Sequence, residues 1–536
     1  MRILSTLLLL CVLSACASPT ATQPAPTPVP STPTALPPLA GTWFGSAVKP
    51  DGTTASIQLT LKEADSTISI EPLIKTTKLT VEQNSDTFKF SAVGDSRDAF
   101  KQIEFAGAIT NGISQNGEGQ LGDSLILKGT ITWDGTSSSA IFISIVKVDA
   151  SMLAEYEGVY RFESGRALSI LVSPQFTASS MRFFSDSLMM TDFESGALRS
   201  LYATSDNTFV VGVLRDVGAP FVGRIEFVRD EAGKVNGLRW WDTPHDLLSS
   251  PVPSDLATRI DYTIEDHVEF ISQDGTKLVG RLSIPKTEAP VPAFMMLHGS
   301  EPGTKDNFGA KLMAHFMISR GIAILNYDKR GVGESQGKYQ EGPSPANLQR
   351  HADDAKAGVQ YLLTRPEIDA KKIGLIGFSQ AGWVIPLAAS QSDAITHFVI
   401  LSGPVESTAQ ENHFSSYTNN GDSATPNYDD AKITQGLREM KPSGFDPLPI
   451  IVELKQPGVW LWGSVDKSVP VTFSAENLQT MIDAGKTNFS YQIFPNGDHG
   501  LGTSLHGLFT EIPYSPGVLY YSELAKWLEA NMSIGQ

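Results

Sequence analysis

Cysteine is almost missing from this chain: among 536 residues there are two, Cys11 and Cys16, both near the N-terminus. Beyond them no disulfide framework, thiolate metal site or cysteine nucleophile can be built. Basic side chains are also scarce, 41 Lys and Arg against 58 Asp and Glu, for a formal net charge of -17. No segment carries a basic stripe, so nucleic acid and anionic membrane surfaces would be repelled. Long apolar runs are lacking too, and the one from Ile3 to Leu13 is too short to span a bilayer stably. What remains is globular in character, with an apolar fraction of 41% and a charged fraction of 18%, and the length implies about two or three domains.

The short apolar run has a different use. Arg2 precedes it and Leu13-Ser14-Ala15-Cys16 follows, the layout of a secretory signal. The tetrapeptide resembles the lipobox of bacterial lipoproteins. That resemblance implies residues 1–15 as a signal peptide, cleavage before Cys16, acylation of Cys16, and an exported protein anchored in a lipid bilayer on the extracytoplasmic side. Residues 16–40 follow, rich in Pro, Thr, Ala and Ser and without charge, as an extended tether.

From Gly41 to about Val252 the pattern has period two: Ile57, Leu59 and Leu61, then Phe88 and Phe90, then Ile141, Ile143 and Ile145. Turn signals at Pro50-Asp51-Gly52, Asn111-Gly112 and Asp134-Gly135 separate the runs. Gly41-Thr42-Trp43-Phe44-Gly45 has a looser counterpart in Tyr156-Glu157-Gly158-Val159-Tyr160. The expectation is an all-β region of one or two small barrel or sandwich units, 41–150 and 151–257.

Residues 258–536 change texture to strands alternating with amphipathic helices, which predicts a mostly parallel sheet flanked by helices. Val268 to Ile271 and Leu278 to Leu282 open it as a hairpin around Gln273-Asp274-Gly275. Strands are then expected at Phe294–Leu297, Ile322–Tyr327, Ile373–Gly377, Phe398–Leu401, Val459–Trp462 and Tyr491–Phe494. Ligands bind at the C-terminal ends of such strands.

Four of those ends carry chemistry. Ile373 to Gly377 runs through Phe378 into Ser379, Gln380, Ala381 and Gly382, the pattern of a nucleophile elbow, although G-x-S-x-G would put glycine where Ala381 stands. The plain alternative is a serine N-cap on a helix. A serine hydroxyl needs a base, and Asn496-Gly497-Asp498-His499-Gly500 supplies His499 in a loop after the last strand. The imidazole needs a carboxylate, and Asp466 follows Val459 to Trp462 in the order Ser, Asp, His. Asp498 is the rival, but sequence neighbours in a loop usually point apart. An oxyanion hole needs two backbone N–H donors; Ser300, after Leu297-His298-Gly299, and Gln380 are the candidates. His298 has no second ligand at a metal spacing, so it is read as bracing its loop, and no metal or cofactor is expected.

These strings, with Tyr327-Asp328-Lys329-Arg330-Gly331-Val332-Gly333-Glu334-Ser335, resemble the α/β-hydrolase superfamily over about 265–528, and within it bacterial carboxylesterases with an N-terminal β-rich extension. The resemblance implies Ser379, Asp466 and His499 as a triad, Ser300 and Gln380 as oxyanion donors, and residues 327–335 as a loop near the active-site rim. It departs from the pattern at Ala381 and at the charged Glu301 and Lys305. Residues 404–457, with His413, Phe414, Tyr417, Tyr428 and Phe445, form an insertion expected either to cap the pocket or, given its low apolar density, to run as an ordinary surface loop. The function implied is hydrolysis of a small acyl ester. A serine peptidase or thioesterase on the same fold is one alternative. The other is a lipid- or glycan-binding lipoprotein with an inactive hydrolase domain, in which Trp43, Phe44, Trp240 and Trp241 would line a cavity.

Overall fold

The computed structural model describes residues 39–70, 75–84, 86–95, 100–111, 125–172, 187–212, 222–242, 255–422, 430–508 and 517–532. Cys16, the signal segment, nearly all of the tether, and Tyr428 lie outside the described residues. Leu39, expected within the tether, is buried, and its carbonyl accepts the Trp43 indole N–H at 3.0 Å.

Among the described residues, the first β region is one antiparallel sheet of nine strands. Its order runs from Thr77–Lys78 through Thr67–Ile70, Thr54–Leu61, Gly41–Val48, Thr136–Ser144, Leu125–Trp133, Gln102–Asn111 and Thr87–Val93 to Thr80–Gln83. Only Leu79 separates the two edge strands in the chain, so the sheet rolls until its edges lie beside each other. The period-two residues face inward: Ile57, Leu59, Phe88 and Phe90 are all buried. Phe105 stacks on Phe90 with centroids 5.3 Å apart and meets Phe142 edge-on at 5.4 Å, geometries that aromatic pairs favour.

The second unit is a closed antiparallel barrel from Gly158–Phe162 to Asp255–Arg259, sealed where Tyr160 pairs with Arg259 and Phe162 with Ala257. Side chains fill its interior, among them Tyr160, Phe162, Phe209, Phe227 and Trp240. Trp43, Phe44 and Trp240 are thus core residues and not the lining of a cavity. Trp241 lies under the Arg224 guanidinium, 4.3 Å from its ring centroid.

The C-terminal region holds the expected layered sheet. Its strands are numbered β1 (Tyr262–Ile271), β2 (Lys277–Pro285), β3 (Val291–Leu297), β4 (Ala323–Tyr327), β5 (Ile368–Phe378), β6 (His397–Leu401), β7 (Gly458–Gly463) and β8 (Phe489–Phe494), in the spatial order β1-β2-β4-β3-β5-β6-β7-β8. The β1–β2 hairpin is antiparallel, β2 meets β4 antiparallel, and the remaining pairings are parallel. This is the α/β-hydrolase fold.

Helices α1 (Phe308–Ser319), α2 (Pro345–Leu363), α3 (Ala381–Ser390), α4 (Thr408–Thr418), α5 (Asp430–Glu439), the one-turn α6 (Leu448–Ile451), α7 (Val471–Asp483) and α8 (Tyr521–Met532) accompany it. Both faces of the sheet are buried. Met295 and Leu297 join a core with α2 and α3, while Phe294 and Met296 join one with α1 and α8. That is why these strands read as unbroken apolar runs. The insertion at 404–457 carries α4, α5 and α6, and Phe414 packs with Leu437 and Phe473.

The barrel docks on the α1 and α8 side. Phe193, in a barrel turn, meets Phe316 edge-on at 5.3 Å and Tyr521 at 5.0 Å. His315 of α1 is buried there between the Ser169 hydroxyl, 2.7 Å from Nδ1, and the Tyr262 hydroxyl, 3.2 Å from Nε2.

Candidate active site

Ser379 stands at the sharp junction between β5 and α3, with φ +52°. A residue other than glycine in the left-handed region costs about 1–3 kcal/mol and persists only where its surroundings enforce it. Here the Ser379 N–H donates to Leu401 O at 2.9 Å and its carbonyl accepts from Gly382 N–H at 2.8 Å. A Cβ on Gly377 would lie 2.5 Å from the Ala381 Cβ and 2.8 Å from Leu297 O. The strand and helix therefore touch through the Ala381 methyl, and the departure from G-x-S-x-G is tolerated because residue 377 has no side chain. The second close approach falls one place later, where a Cβ on Gly382 would meet Pro404 N at 2.7 Å.

Asp466 and His499 reach the same sheet edge from β7 and β8. Phe378 pairs with Leu401, Leu401 with Leu461, and Gly463 with Phe494, so the ends of β5 to β8 are in step. Asp466 Oδ1 accepts from the N–H groups of Ser468 and Val469 at 2.7 and 3.0 Å, which turns Oδ2 to His499 Nδ1 at 2.8 Å. Asp498 faces its own loop, accepting the Gly502 N–H at 3.0 Å. Of the two rival carboxylates, Asp466 is therefore the one bonded to the imidazole. Burial opposes protonation of His499, yet Asp466, with help from Asp498 and Glu411, outweighs it and raises the imidazole above its usual value.

The loop after β3 comes up to Ser379, since a Cβ on Gly299 would sit 3.3 Å from the Ser379 Cβ and 2.5 Å from Glu301 Oε2. The Gly299 N–H donates to Glu301 Oε1 at 3.3 Å. His298 is buried, and its Nε2 donates to Tyr327 O at 2.7 Å, which ties the loop to β4. Burial pushes its pKa down, consistent with a bracing, uncharged ring. Ser300 is exposed, its carbonyl accepting from the Tyr339 hydroxyl, while Gln380 is buried at the start of α3. Lys305 takes no part, because its ammonium is held by Glu334 at 2.5 Å, Asp306 at 3.4 Å and Asp328 at 3.6 Å.

Several residues at the site escaped the reading of the sequence. Lys329, from the Tyr327 to Ser335 string, is buried with its ammonium against Gly299 O, Glu301 O and Gln380 Oε1. Glu411 of α4 is half-buried and acts electrostatically on His499. Its carboxyl is pushed up to about 8, by burial first and then by Glu406. Glu406 is fully buried, and burial pushes its carboxyl up to about 7. The charged string Asp328-Lys329-Arg330 at a strand end was the available signal for Lys329. Nothing marked the two glutamates, which sit in polar helix-start sequence.

Residues 308–512 match the profile of the prolyl oligopeptidase family. Among curated proteins, the chain is 31% identical over 144 residues to thiohydrolase aneE of Aspergillus aculeatus, covering 27% of this chain and 43% of that protein. It is 30% identical over 149 residues to esterase EstD of Thermotoga maritima, covering 26% and 34%. Human dipeptidyl peptidase 8 is 25% identical over 280 residues, covering 51% and 29%. The chain thus spans less than half the length of each of these relatives. Among solved structures, esterase Pf2001 of Pyrococcus furiosus aligns with a TM-score of 0.36 and 20% identity over 51% of this chain and 93% of that one.

Proposed function

We propose that this chain, whose C-terminal half is an α/β-hydrolase domain, is a serine hydrolase that cleaves carboxylic esters with Ser379 as nucleophile. The observation that carries the reading is the left-handed Ser379 at the end of β5, on the sheet edge that also holds the hydrogen-bonded His499–Asp466 pair. In the first step the Ser379 oxygen bonds to the ester carbonyl carbon as His499 Nε2 takes its proton. Asp466 holds the Nδ1 proton and stabilises the imidazolium. The carbonyl oxygen becomes an oxyanion facing the N–H groups of Ser300 and Gln380. Collapse breaks the bond to the alcohol, which leaves with the proton from His499. Water then repeats the sequence on the acyl-enzyme, releasing the acid and restoring Ser379.

The expected outcome for Ser379→Ala, with an unchanged thermal melt, is loss of p-nitrophenyl ester hydrolysis and of fluorophosphonate labelling. Retained hydrolysis would sink the proposal. A peptidase or thioesterase reading is favoured by the prolyl oligopeptidase match and by the thiohydrolase relative. Matched esters, thioesters and aminoacyl amides assayed side by side separate the three, since each class predicts the highest kcat/KM on its own bond.

A further inference from the structure

We infer that Lys329 is a positioning residue for the oxyanion site, its buried ammonium holding the Ser300 and Gln380 N–H donors in one frame. The inference rests on the serine-hydrolase reading above. Its core is the geometry of the peptide unit. The Gly299 carbonyl and the Ser300 N–H belong to the same planar trans peptide and point in opposite directions. Lys329 Nζ donates to that carbonyl, and so fixes the direction in which the Ser300 N–H points.

The next units are held as well. Tyr339 O–H donates to Ser300 O, Lys329 reaches Glu301 O at 3.2 Å, and the ammonium lies 5.6 Å from the Tyr339 ring centroid. A further contact, 3.5 Å to Gln380 Oε1, crosses to the residue that supplies the second donor. One ammonium with three donors therefore bridges the β3 loop and the elbow, the two elements that must stay in register for an oxyanion to meet both N–H groups.

Charge adds to position. A hydrogen bond on a carbonyl polarises the N–H of the same peptide unit, and a cation behind the donor favours negative charge arriving in front of it. Lys305, also buried, is a contrast. Its partners are carboxylates, so its charge is spent in ion pairs, whereas the hydrogen bonds of Lys329 go to amide oxygens. Burial pushes the Lys329 ammonium down to about 8 against the pull of Glu301 and Asp354. His298 and His351 beside it are kept neutral by burial, and Arg330 is paired with Asp354.

The test compares wild type, Lys329→Met and Lys329→Arg on a p-nitrophenyl ester, with thermal melting as the check on folding. Lys329→Met is expected to lower kcat by about tenfold or more while KM stays within about twofold. Fluorophosphonate labelling of Ser379 should slow in parallel, and Lys329→Arg should recover part of both. Wild-type kcat is expected to fall as the pH rises through about 8, and this fall should be missing in Lys329→Arg, whose guanidinium stays charged. A Lys329→Met kcat equal to that of wild type overturns the inference. So does fluorophosphonate labelling of Ser379 in a folded Lys329→Met at the wild-type rate. Labelled wild type with either outcome defeats only the role of Lys329; unlabelled wild type defeats the hydrolase reading and this inference with it.

Discussion

His499 sits among carboxylates. Asp466 is bonded to it, and Asp498 and Glu411 act on it electrostatically, so the imidazolium is favoured despite burial. The base of the proposed reaction must be neutral to act, so activity is expected to rise as the pH climbs through this raised value. The acid limb of kcat/KM is therefore expected above the ordinary histidine value of about 6.5. Asp466→Asn should move the limb down and lower kcat by about 10⁴, which pH profiles of the two proteins would check; a limb that stays put would remove Asp466 from the role. The placement of Ser379, Asp466 and His499 was legible in the sequence because each follows an apolar run at a strand end, where small residues announce the turn. Lys329, Glu406 and Glu411 were not, because the linear pattern does not say whether a charged side chain turns inward.

Strands β1 and β2 are clasped to α2 through one guanidinium. Arg330 Nε donates to Asp354 Oδ2 at 2.8 Å and Nη1 to Asp274 Oδ2 at 2.7 Å, with Nη2 reaching Ser272 Oγ at 3.3 Å. The Asp354 side chain is wholly buried, with 0% exposed. Arg330→Ala would strand that carboxylate, and the loss of a buried partner costs about 3–5 kcal/mol. The expected reading is a matching fall in chemical-denaturation stability, largely restored by Arg330→Ala with Asp354→Ala; no recovery in the double variant would show that the pair is not the cause. Hairpin and parallel strands were readable from period and turn residues. The helices of the 404–457 insertion were harder to foresee, because α5 buries little more than Thr434 and Leu437 and leaves a weak apolar pattern. Short strands such as Thr77–Lys78 were beyond reach for a plainer reason: two residues have no period.

Across the whole molecule, the barrel and the hydrolase sheet share an interface that carries a titratable group. Burial holds His315 down to about 3, far below the value of about 6.5 it has when unfolded. The unfolded chain therefore binds the proton first. The stability that depends on a neutral His315 is present above about pH 6.5 and drains away as the pH falls toward 3, at up to about 1.4 kcal/mol per pH unit. His351, held down to about 3 for the same reason, adds to the slope. Melting temperature is expected to drop between about pH 7 and 5, and His315→Gln to make the drop shallower; parallel slopes for the two proteins would count against it. Period made the β-rich region and the layered sheet after it legible. It was silent on docking, since Phe193 and His315 read as ordinary core residues until the partner surface is in view.

That docking reaches further than its apolar contacts. Gly196, in the barrel turn beside Phe193, accepts the Val518 N–H at 2.9 Å, and a Cβ on it would collide with Val518 O. Val518 in turn bridges to Gly502, and Leu519 N–H donates to Leu501 O at 3.0 Å, in the loop that carries His499. The barrel is therefore no cassette. A graft that replaced it with another barrel of the same outline would have to keep the bare turn at residue 196, or the histidine loop would lose the neighbour against which it is set.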